Sequence, residues 1–242
     1  IFPYENNKLS QCKALLSNGD CHGGIICNAS AKDLAFLEKT SLPIPIVLYH
    51  RYSKSYSNVT FDDGAMGRTA AQAMLSNGCK QTVMLTSKPA FAEMTIRKDS
   101  YRQETLTQGK KNFFIPYCTN TIKGSYDTAK KYLIPFIKKH RGPTGVFCAT
   151  SAIAQGALRA FYETGIKIPE QCQIVAVGNG PEDNDAFAIP SLSVVRVPME
   201  EMANHCLHLL LDTIENKLIS PTSILLPFQY IPRETCGQLI KK

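Results

Sequence analysis

The sequence predicts an α/β protein with two doubly wound parallel-sheet subdomains and a cleft between them. Apolar, strand-like runs alternate with helical runs almost throughout the 242 residues. The helical runs are about ten to fifteen residues long, the length of the crossovers that join parallel strands. About nine strands are predicted, more than one sheet accommodates comfortably in a chain of this size.

In the first third of the chain, three apolar runs predict buried strands and two periodic segments predict helices. The strands are GGIICNAS, IPIVLYH and NVTFD, and the helices are AKDLAFLEKT and DGAMGRTAAQAMLSNG. The second helix is expected to end at Gly78, because glycine readily takes the left-handed conformation that closes a helix.

In the middle of the chain, QTVMLTS predicts a strand and RKDSYRQETLTQ a helix. In YDTAKKYLIPFIKKH, apolar residues recur at helical spacing at Ala129, Tyr132, Leu133, Phe136 and Ile137. Pro135 lies inside that pattern and predicts a kink, because proline lacks an amide hydrogen and clashes with the preceding turn.

The last third continues the alternation. GVFCAT, QIVAVGN, SLSVVRVP and SILLPFQYIP predict strands, and AIAQGALRAFYETG predicts a helix with Gly165 as its cap. MEEMANHCLHLLLDTIENK predicts a long amphipathic helix, and RETCGQLIKK is interpreted as a tail.

The composition is that of an ordinary globular protein, with 44% hydrophobic residues, 19% charged residues and a net charge of +7. No apolar run is long enough to cross a membrane, and the first residues resemble no secretory signal. The nine cysteines are scattered without a CxxC pair. Their pattern predicts free thiols in a reducing cytoplasm, with neither a disulfide framework nor a metal site.

The sequence shows no local motif for catalysis or nucleotide binding. It contains neither GxxxxGK[ST], nor GxGxxG after a strand, nor a GxSxG nucleophile elbow. The acids Glu182, Asp183 and Asp185 cluster in one loop, which favours solvation over paired acid and base work. The residues alone therefore predict a binding protein without enzymatic activity and without a cofactor.

The loop in QIVAVGNGPEDNDAF is the strongest local candidate for a binding site, because it follows a buried strand directly. In α/β sheets, ligands bind beyond the carboxyl ends of the strands. Asn179 would reach a ligand first, and Gly180 beside it has no side chain.

Three segments resemble, in order, the effector-binding region of the lactose/galactose repressor (LacI/GalR) family of bacterial transcription regulators. GGIICNAS, IPIVLYHR and NVTFDDGAMGRTAAQAMLSNGC are similar to the family's DGxI, PvVxxDR and VxxDNxxaGxxaaxxLxxxGH. RKDSYRQETL is similar to RxxGfxxaL. The segments PTGVFCATSAIAQGA, QIVAVGNG and PSLSVV are similar to PtAvfaxNDxxAxGa, vvGfDd and PxLTtv. The resemblance covers nearly the whole chain.

This resemblance implies an allosteric regulator that works as a homodimer. In the family a small effector, commonly a sugar, sugar phosphate or nucleobase, binds between two lobes and alters how helix-turn-helix headpieces read operator DNA. The expected partners are this effector and, through a headpiece absent from the sequence, operator DNA, with no membrane. The first strand and helix of lobe one are expected to be missing before Ile1.

The predicted N-terminal effector subdomain comprises residues 1–60 and 199–222. The predicted C-terminal effector subdomain comprises residues 61–198 and 223–242.

The resemblance also implies which residues contact the effector: Asn28, His50, Phe61, Arg97, Thr150, Asn179 and Gly180. Arg97 keeps the family's arginine, which would fork onto sugar hydroxyls or a carboxylate. His50 stands where the family has an acid, Thr150 where it has an asparagine, and Gly180 where it has an aspartate.

Structural interpretations of the same residues stay open. Arg97 could form a surface salt bridge, and His50 could bond to the backbone. Phe61 could be shared between the core and the pocket, and Thr150 and Asn28 could cap helices.

The departures from the family pattern leave three interpretations of the ligand. It is less hydroxylated than a plain hexose, or it is an anion that His50 and Arg97 hold, or the site has decayed and a protein partner regulates the chain. Two other classes are alternatives: an exported solute-binding protein of the same fold that serves a transporter, and an enzyme on a related two-lobed scaffold. The nine cysteines argue against export.

Overall fold

The computed structural model describes residues 1–19, 21–107, 113–218 and 220–237. These residues form ten strands: β1 (Gly24–Cys27), β2 (Ile46–Tyr49), β3 (Ser57–Phe61), β4 (Gln81–Leu85), β5 (Phe113–Phe114), β6 (Thr144–Cys148), β7 (Cys172–Gly178), β8 (Ser193–Arg196), β9 (Ser223–Leu226) and β10 (Gln229–Ile231). They also form nine α-helices: α1 (Lys13–Ser17), α2 (Ala31–Lys39), α3 (Asp63–Ser76), α4 (Ala92–Thr107), α5 (Ile122–Thr128), α6 (Ile134–Lys139), α7 (Ser151–Glu163), α8 (Glu182–Ala186) and α9 (Met199–Ile214). A 3₁₀ turn, Leu9–Cys12, precedes α1.

The described strands build two sheets, which confirms the predicted α/β class. The first sheet has the order β1-β2-β3-β9, and all of its neighbours are parallel. The second has the order β10-β8-β7-β6-β4-β5, in which β10 pairs with β8 in antiparallel fashion and the other neighbours are parallel. The central strands β4, β6 and β7 are buried along their whole length, which explains their unbroken apolar runs.

The contacts within the chain divide it into two compact units. Unit 1 comprises the described residues of 1–62, 90–93 and 198–227, and unit 2 those of 63–89, 94–197 and 228–242. In unit 1, α9 packs against β1, β2 and β3. In unit 2, α3 packs against β6, β7 and β8.

Residues 61–62, 90–93, 198 and 223–227, which the sequence analysis assigns to the C-terminal subdomain, belong to unit 1. The run SILLPFQYIP is not one strand: β9 pairs with β3 in the first sheet, and β10 pairs with β8 in the second. Pro227 lies between them, and a proline cannot donate a hydrogen bond to a ladder, so the strand is interrupted there.

The segment after β10 is not a loose tail over residues 233–237. Thr235 and Cys236 are buried, and the Thr235 hydroxyl donates to the Ile174 carbonyl at 2.8 Å while accepting from the Ser193 amide at 2.8 Å. The rest of the predicted tail lies outside the described residues.

The predicted helix ends are present, and the helix that is predicted to kink at Pro135 contains a π-helical turn. Gly78 and Gly165 follow their helices with φ of 81° and 69°. Before Pro135, a π-helical turn spans Ala129–Leu133 and separates α5 from α6. A proline removes one backbone donor from the helical ladder, and the wider turn accommodates that loss.

Across the described ranges, no helix is both long and apolar enough to cross a membrane. The nine cysteines are free thiols, and five of them are buried: Cys79, Cys148, Cys172, Cys206 and Cys236.

Candidate functional site

The residues that the sequence predicts as effector contacts fall into two sets, one in each unit. The first edge comprises Asn28, His50 and Phe61, at the carboxyl ends of β1, β2 and β3. The second edge comprises Arg97, Thr150, Asn179 and Gly180, beyond the carboxyl ends of β4, β6 and β7. Because parallel strands end at one side of their sheet, each set lies where α/β sheets bind ligands.

Two residues of the first edge have an unusual backbone. Asn28 has φ of 60° and His50 has φ of 55°, both in the left-handed region. For a residue such as histidine this conformation costs about 1–2 kcal/mol, and it persists only where surrounding contacts impose it. Asn28 is exposed and does not cap α2, since Ser30 occupies the cap position.

His50 belongs to an aromatic cluster. Its ring stacks on Phe61 with the centroids 4.0 Å apart and an interplanar angle of 23°. Phe91 meets His50 edge-on at 6.5 Å. Phe61 is only 5% exposed, so the ring supports the stack from inside the core.

Phe91 is the residue at this edge that the sequence patterns miss. It lies in the polar connection TSKPAFAE between β4 and α4, and the isolated aromatic residue there is the signal that was available. Its ring covers the Arg51 guanidinium, with 3.4 Å between Cζ and the centroid. Such cation–π stacking is favourable when the guanidinium is withdrawn from water.

Arg51 explains how the left-handed residues are held. The side chain is fully buried, its Nε donates to the Ala29 carbonyl at 2.6 Å, and its Nη1 donates to the His50 carbonyl. One guanidinium therefore fixes the backbone just after Asn28 and at His50.

Asp33 fixes the same turn from the other side. Its carboxylate accepts from the amides of Asn7, Leu9 and Ser30 at 2.9, 3.0 and 3.0 Å. Burial acts to raise the pKa of Asp33, but the hydrogen bonds from Ser30, Leu9 and Asn7 outweigh it, so the pKa lies below its ordinary value.

At the second edge, Arg97 forms a buried ion pair with Asp63, the first residue of α3. Its Nε donates to Asp63 Oδ1 at 2.8 Å and Nη2 donates to the same oxygen. The side chains are only 8% and 3% exposed, so the interpretation of Arg97 as a surface salt-bridge residue is wrong. Gly67 permits this placement, because a Cβ there would lie 2.3 Å from the Arg97 carbonyl oxygen.

Thr150 and Asn179 both serve the beginning of α7. The Thr150 hydroxyl accepts from the Ile153 amide at 3.2 Å, which confirms the capping interpretation, and donates to Asn120 Oδ1 at 3.1 Å. Asn179 is exposed, and its Oδ1 accepts from the Ser151 amide at 3.4 Å.

Gly180 is held by its backbone rather than by a side chain. Its carbonyl accepts from Arg196 Nη1 at 2.7 Å, and Arg196 Nη2 donates to Asp185 Oδ2 at 2.9 Å. A Cβ at Gly180 would meet nothing within 4 Å.

Asp185 corrects the prediction of a solvated acidic cluster. It is fully buried, and burial raises its pKa while the nearby charge of Arg196 opposes the rise. Glu182 is also paired, at 3.0 Å from Arg233 Nη2, although it stays exposed.

These arrangements are suited to hydrogen bonding and stacking. Within the described residues, no group of three or more histidine, cysteine and acidic side chains could hold a metal ion. Burial raises the pKa of Cys27, and of Cys118 to about 11, so neither thiol is ionised for nucleophilic attack at neutral pH.

Comparisons with known proteins agree with this description. Residues 71–236 match the family of periplasmic binding protein-like domains. The ribose operon repressor of Halalkalibacterium halodurans is 25% identical over 213 residues, which are 88% of this chain and 62% of the repressor, so the chain spans less than two thirds of that relative.

Solved structures share the fold over nearly the whole chain. A LacI family transcription regulator from Clostridium acetobutylicum is 30% identical with a TM-score of 0.85, covering 96% of this chain and 85% of the regulator. A LacI family regulator from Enterococcus faecium, solved with bound ribose, is 22% identical with a TM-score of 0.80, covering 95% of this chain and 84% of its own, and shows the fold alone. The chain therefore belongs to the periplasmic binding protein-like domain family and is homologous to the LacI family of transcription regulators.

Proposed function

We propose that this chain is the effector-sensing region of a bacterial transcriptional repressor that works in the cytoplasm as a homodimer. A small sugar-like molecule binds to residues that the resemblance implies as effector contacts. Binding changes the affinity of the full-length protein for operator DNA through a helix-turn-helix headpiece. The names of the relatives support this proposal, since two are ribose operon repressors and two regulator structures contain ribose.

The placement of the seven predicted contact residues is the observation that carries the proposal. Six of them lie at or just after strand ends, Arg97 lies in the second turn of the helix that follows β4, and the first edge combines an exposed amide with a half-buried aromatic stack. A sugar presents hydroxyl groups at its rim and an apolar face of C–H groups. Asn28 would bind the hydroxyl groups, and the ring of His50 would pack on the apolar face.

The regulatory step follows from linkage. The effector must bind one conformational state of the repressor more tightly than another, and operator DNA must prefer one of those states. A coupling of about 1–3 kcal/mol would change the affinity for DNA by about 5- to 150-fold. No bond is made or broken in this cycle, so the proposed function is not enzymatic.

A thermal-shift screen tests effector binding. The purified chain is heated with sugars, sugar phosphates, polyols and nucleosides, and a ligand at about 100 times its Kd should stabilise it by about 2.7 kcal/mol. Asn28→Gly removes the amide and keeps the left-handed backbone that glycine tolerates. Asn216→Gly is the matched control, because Asn216 has a similar φ of 58° beyond the end of α9.

The screen should find a ligand that Asn216→Gly still binds and Asn28→Gly binds at least about tenfold more weakly. The full-length protein, with an operator selected from random DNA, should then change its DNA affinity when that ligand is added. A ligand that binds without any effect on DNA would contradict the repressor function. It would favour the solute-binding alternative.

A further inference from the structure

We propose that Asp63 restricts the effector to uncharged molecules, because its carboxylate already neutralises Arg97. This inference rests on the proposed function and adds a specificity-determining residue to it. Asp63 places a negative charge directly beside Arg97, the arginine that the resemblance implies as an effector contact.

The ion pair lies at the edge itself. Helix α3 leads back to the start of β4, so its first residue, Asp63, lies on the side of the second sheet where β4 ends. Helix α4 begins on that same side and carries Arg97 in its second turn. Asp63 takes two of the three guanidinium nitrogens, Nε and Nη2, in a pair that is almost fully removed from water.

Two other groups at the second edge that could attract an anion already have oxygen partners. Arg196 is paired with the buried carboxylate of Asp185. The positive end of helix α7 is capped by Thr150, and Asn179 accepts from the first amide of that helix.

An anionic ligand would therefore meet a cost that a neutral ligand avoids. Moving a phosphate or carboxylate from water to this edge removes its hydration, and the arginine that would compensate for that loss already serves Asp63. A neutral polyol requires only directional hydrogen bonds, which a paired guanidinium and exposed amides still supply. The selectivity should appear in the ratio of affinities for a sugar and its phosphate.

Matched pairs of ligands test the ratio directly. Calorimetry would compare D-ribose with D-ribose 5-phosphate, D-glucose with D-glucose 6-phosphate, and D-fructose with D-fructose 6-phosphate on the intact chain. For the pair that binds, we expect the neutral sugar to bind at least about tenfold more tightly. In Asp63→Asn, the affinity for the sugar divided by the affinity for its phosphate should fall at least about tenfold. Glu170→Gln, which removes an exposed acid of the same unit that lies before β7, should leave the ratio unchanged.

A second measurement does not depend on knowing the sugar. Asp63→Asn frees the Arg97 charge, so sulfate should stabilise this variant in a saturable manner that the unaltered chain and Glu170→Gln do not show. Circular dichroism would first verify that Asp63→Asn is folded. If it is not, Asp63→Ser replaces it in both measurements. A merely structural role of Asp63 would lower stability without creating sulfate binding or shifting the ligand ratio.

The outcomes separate this inference from the proposed function. A phosphorylated sugar that binds the unaltered chain as tightly as its parent sugar overturns the inference and leaves the function standing. An unchanged ratio and no new sulfate binding in the folded variants also overturn it. If no sugar of any kind binds, the proposed function fails, and the sulfate titration alone decides the role of Asp63.

Discussion

The two edges are held in place by different physical means. At the first edge, Asn28 and His50 adopt left-handed backbone conformations. The buried side chain of Arg51 donates to the carbonyl of His50 and to that of Ala29, the residue after Asn28. At the second edge the backbone is regular, and two buried ion pairs, Asp63 with Arg97 and Asp185 with Arg196, balance the charges. The first edge thus depends on conformation and the second on electrostatic compensation.

This difference teaches which substitutions each edge tolerates. A strained backbone is sensitive to the loss of the hydrogen bonds that impose it, whereas a buried ion pair is sensitive to the removal of one partner alone. The predictions below test that distinction, beginning with the largest expected effect.

Removing Arg97 alone should produce the largest loss of stability. Arg97→Ala leaves the Asp63 carboxylate buried without its compensating charge, and the free energy of unfolding should fall by about 3–5 kcal/mol. Urea denaturation measures this change. The double variant Asp63→Leu with Arg97→Met should recover most of the loss, since no charge is left uncompensated. Recovery of less than half would mean that the pair matters for packing rather than for charge balance.

At the first edge, Asp33→Ala should cost about 2 kcal/mol at pH 7, because a helix-capping carboxylate and its amide donors lose their bonds. The pKa of Asp33 is lowered in the folded state, so its contribution is present above the unfolded pKa of about 3.9 and is lost as the pH falls through the folded pKa.

Unfolding free energies of the unaltered chain and Asp33→Ala, measured from pH 7 down to pH 3, test this dependence. The difference between them should shrink toward the acid end. Asp212→Ala, at an exposed position of α9, should track the unaltered chain throughout. A difference that stays constant with pH would show that packing, not the ionised carboxylate, holds the turn.

Thr150→Ala should cost about 1 kcal/mol, the usual effect of losing a helix cap. Thr150→Ser keeps the hydroxyl that accepts from the Ile153 amide and should retain nearly the whole stability. Thermal unfolding of the two variants gives the comparison. If both bind the effector as the unaltered chain does, Thr150 acts only as a cap.

Gly180→Asp should have the smallest effect on stability, within about 0.5 kcal/mol, because a side chain there meets open space. A carboxylate at this position would accept hydrogen bonds from sugar hydroxyls, so the affinity for a neutral sugar should rise about tenfold. Calorimetry measures the affinity of Gly180→Asp for the sugar. Gly180→Ala is the control, because it changes the backbone freedom in the same way without adding a carboxylate. Unchanged affinity would place the sugar away from Gly180.

The α/β class and most of the elements could be predicted, because hydrophobic periodicity is a local property of the chain. The two edges could be predicted as well, since binding positions in this architecture follow from where strands end. Thr150 as a cap and Gly165 as a helix terminator rest on equally local chemistry.

The partners of the site residues could not be predicted, because they come from distant parts of the sequence. In the sequence Phe91 is an isolated aromatic residue, and only the structure shows that its ring covers the Arg51 guanidinium. Asp185 looks solvated because its neighbours are polar, while the guanidinium that permits its burial comes from another strand. The separation of β9 from β10 likewise depends on distant strands, because β9 pairs with β3 in the first sheet and β10 pairs with β8 in the second.

The discontinuity of the two units has a consequence for synthesis on the ribosome. Strands β1 to β3 emerge before β4 to β8, whereas β9, which pairs with β3 in the first sheet, emerges only after all of those strands. Until then β3 presents an open edge, which can pair with other extended chains. Unit 2 likewise waits for Thr235, which hydrogen-bonds to Ile174 of β7 and to Ser193 of β8. The nascent chain is therefore expected to need chaperone protection until β9 and Thr235 have both emerged.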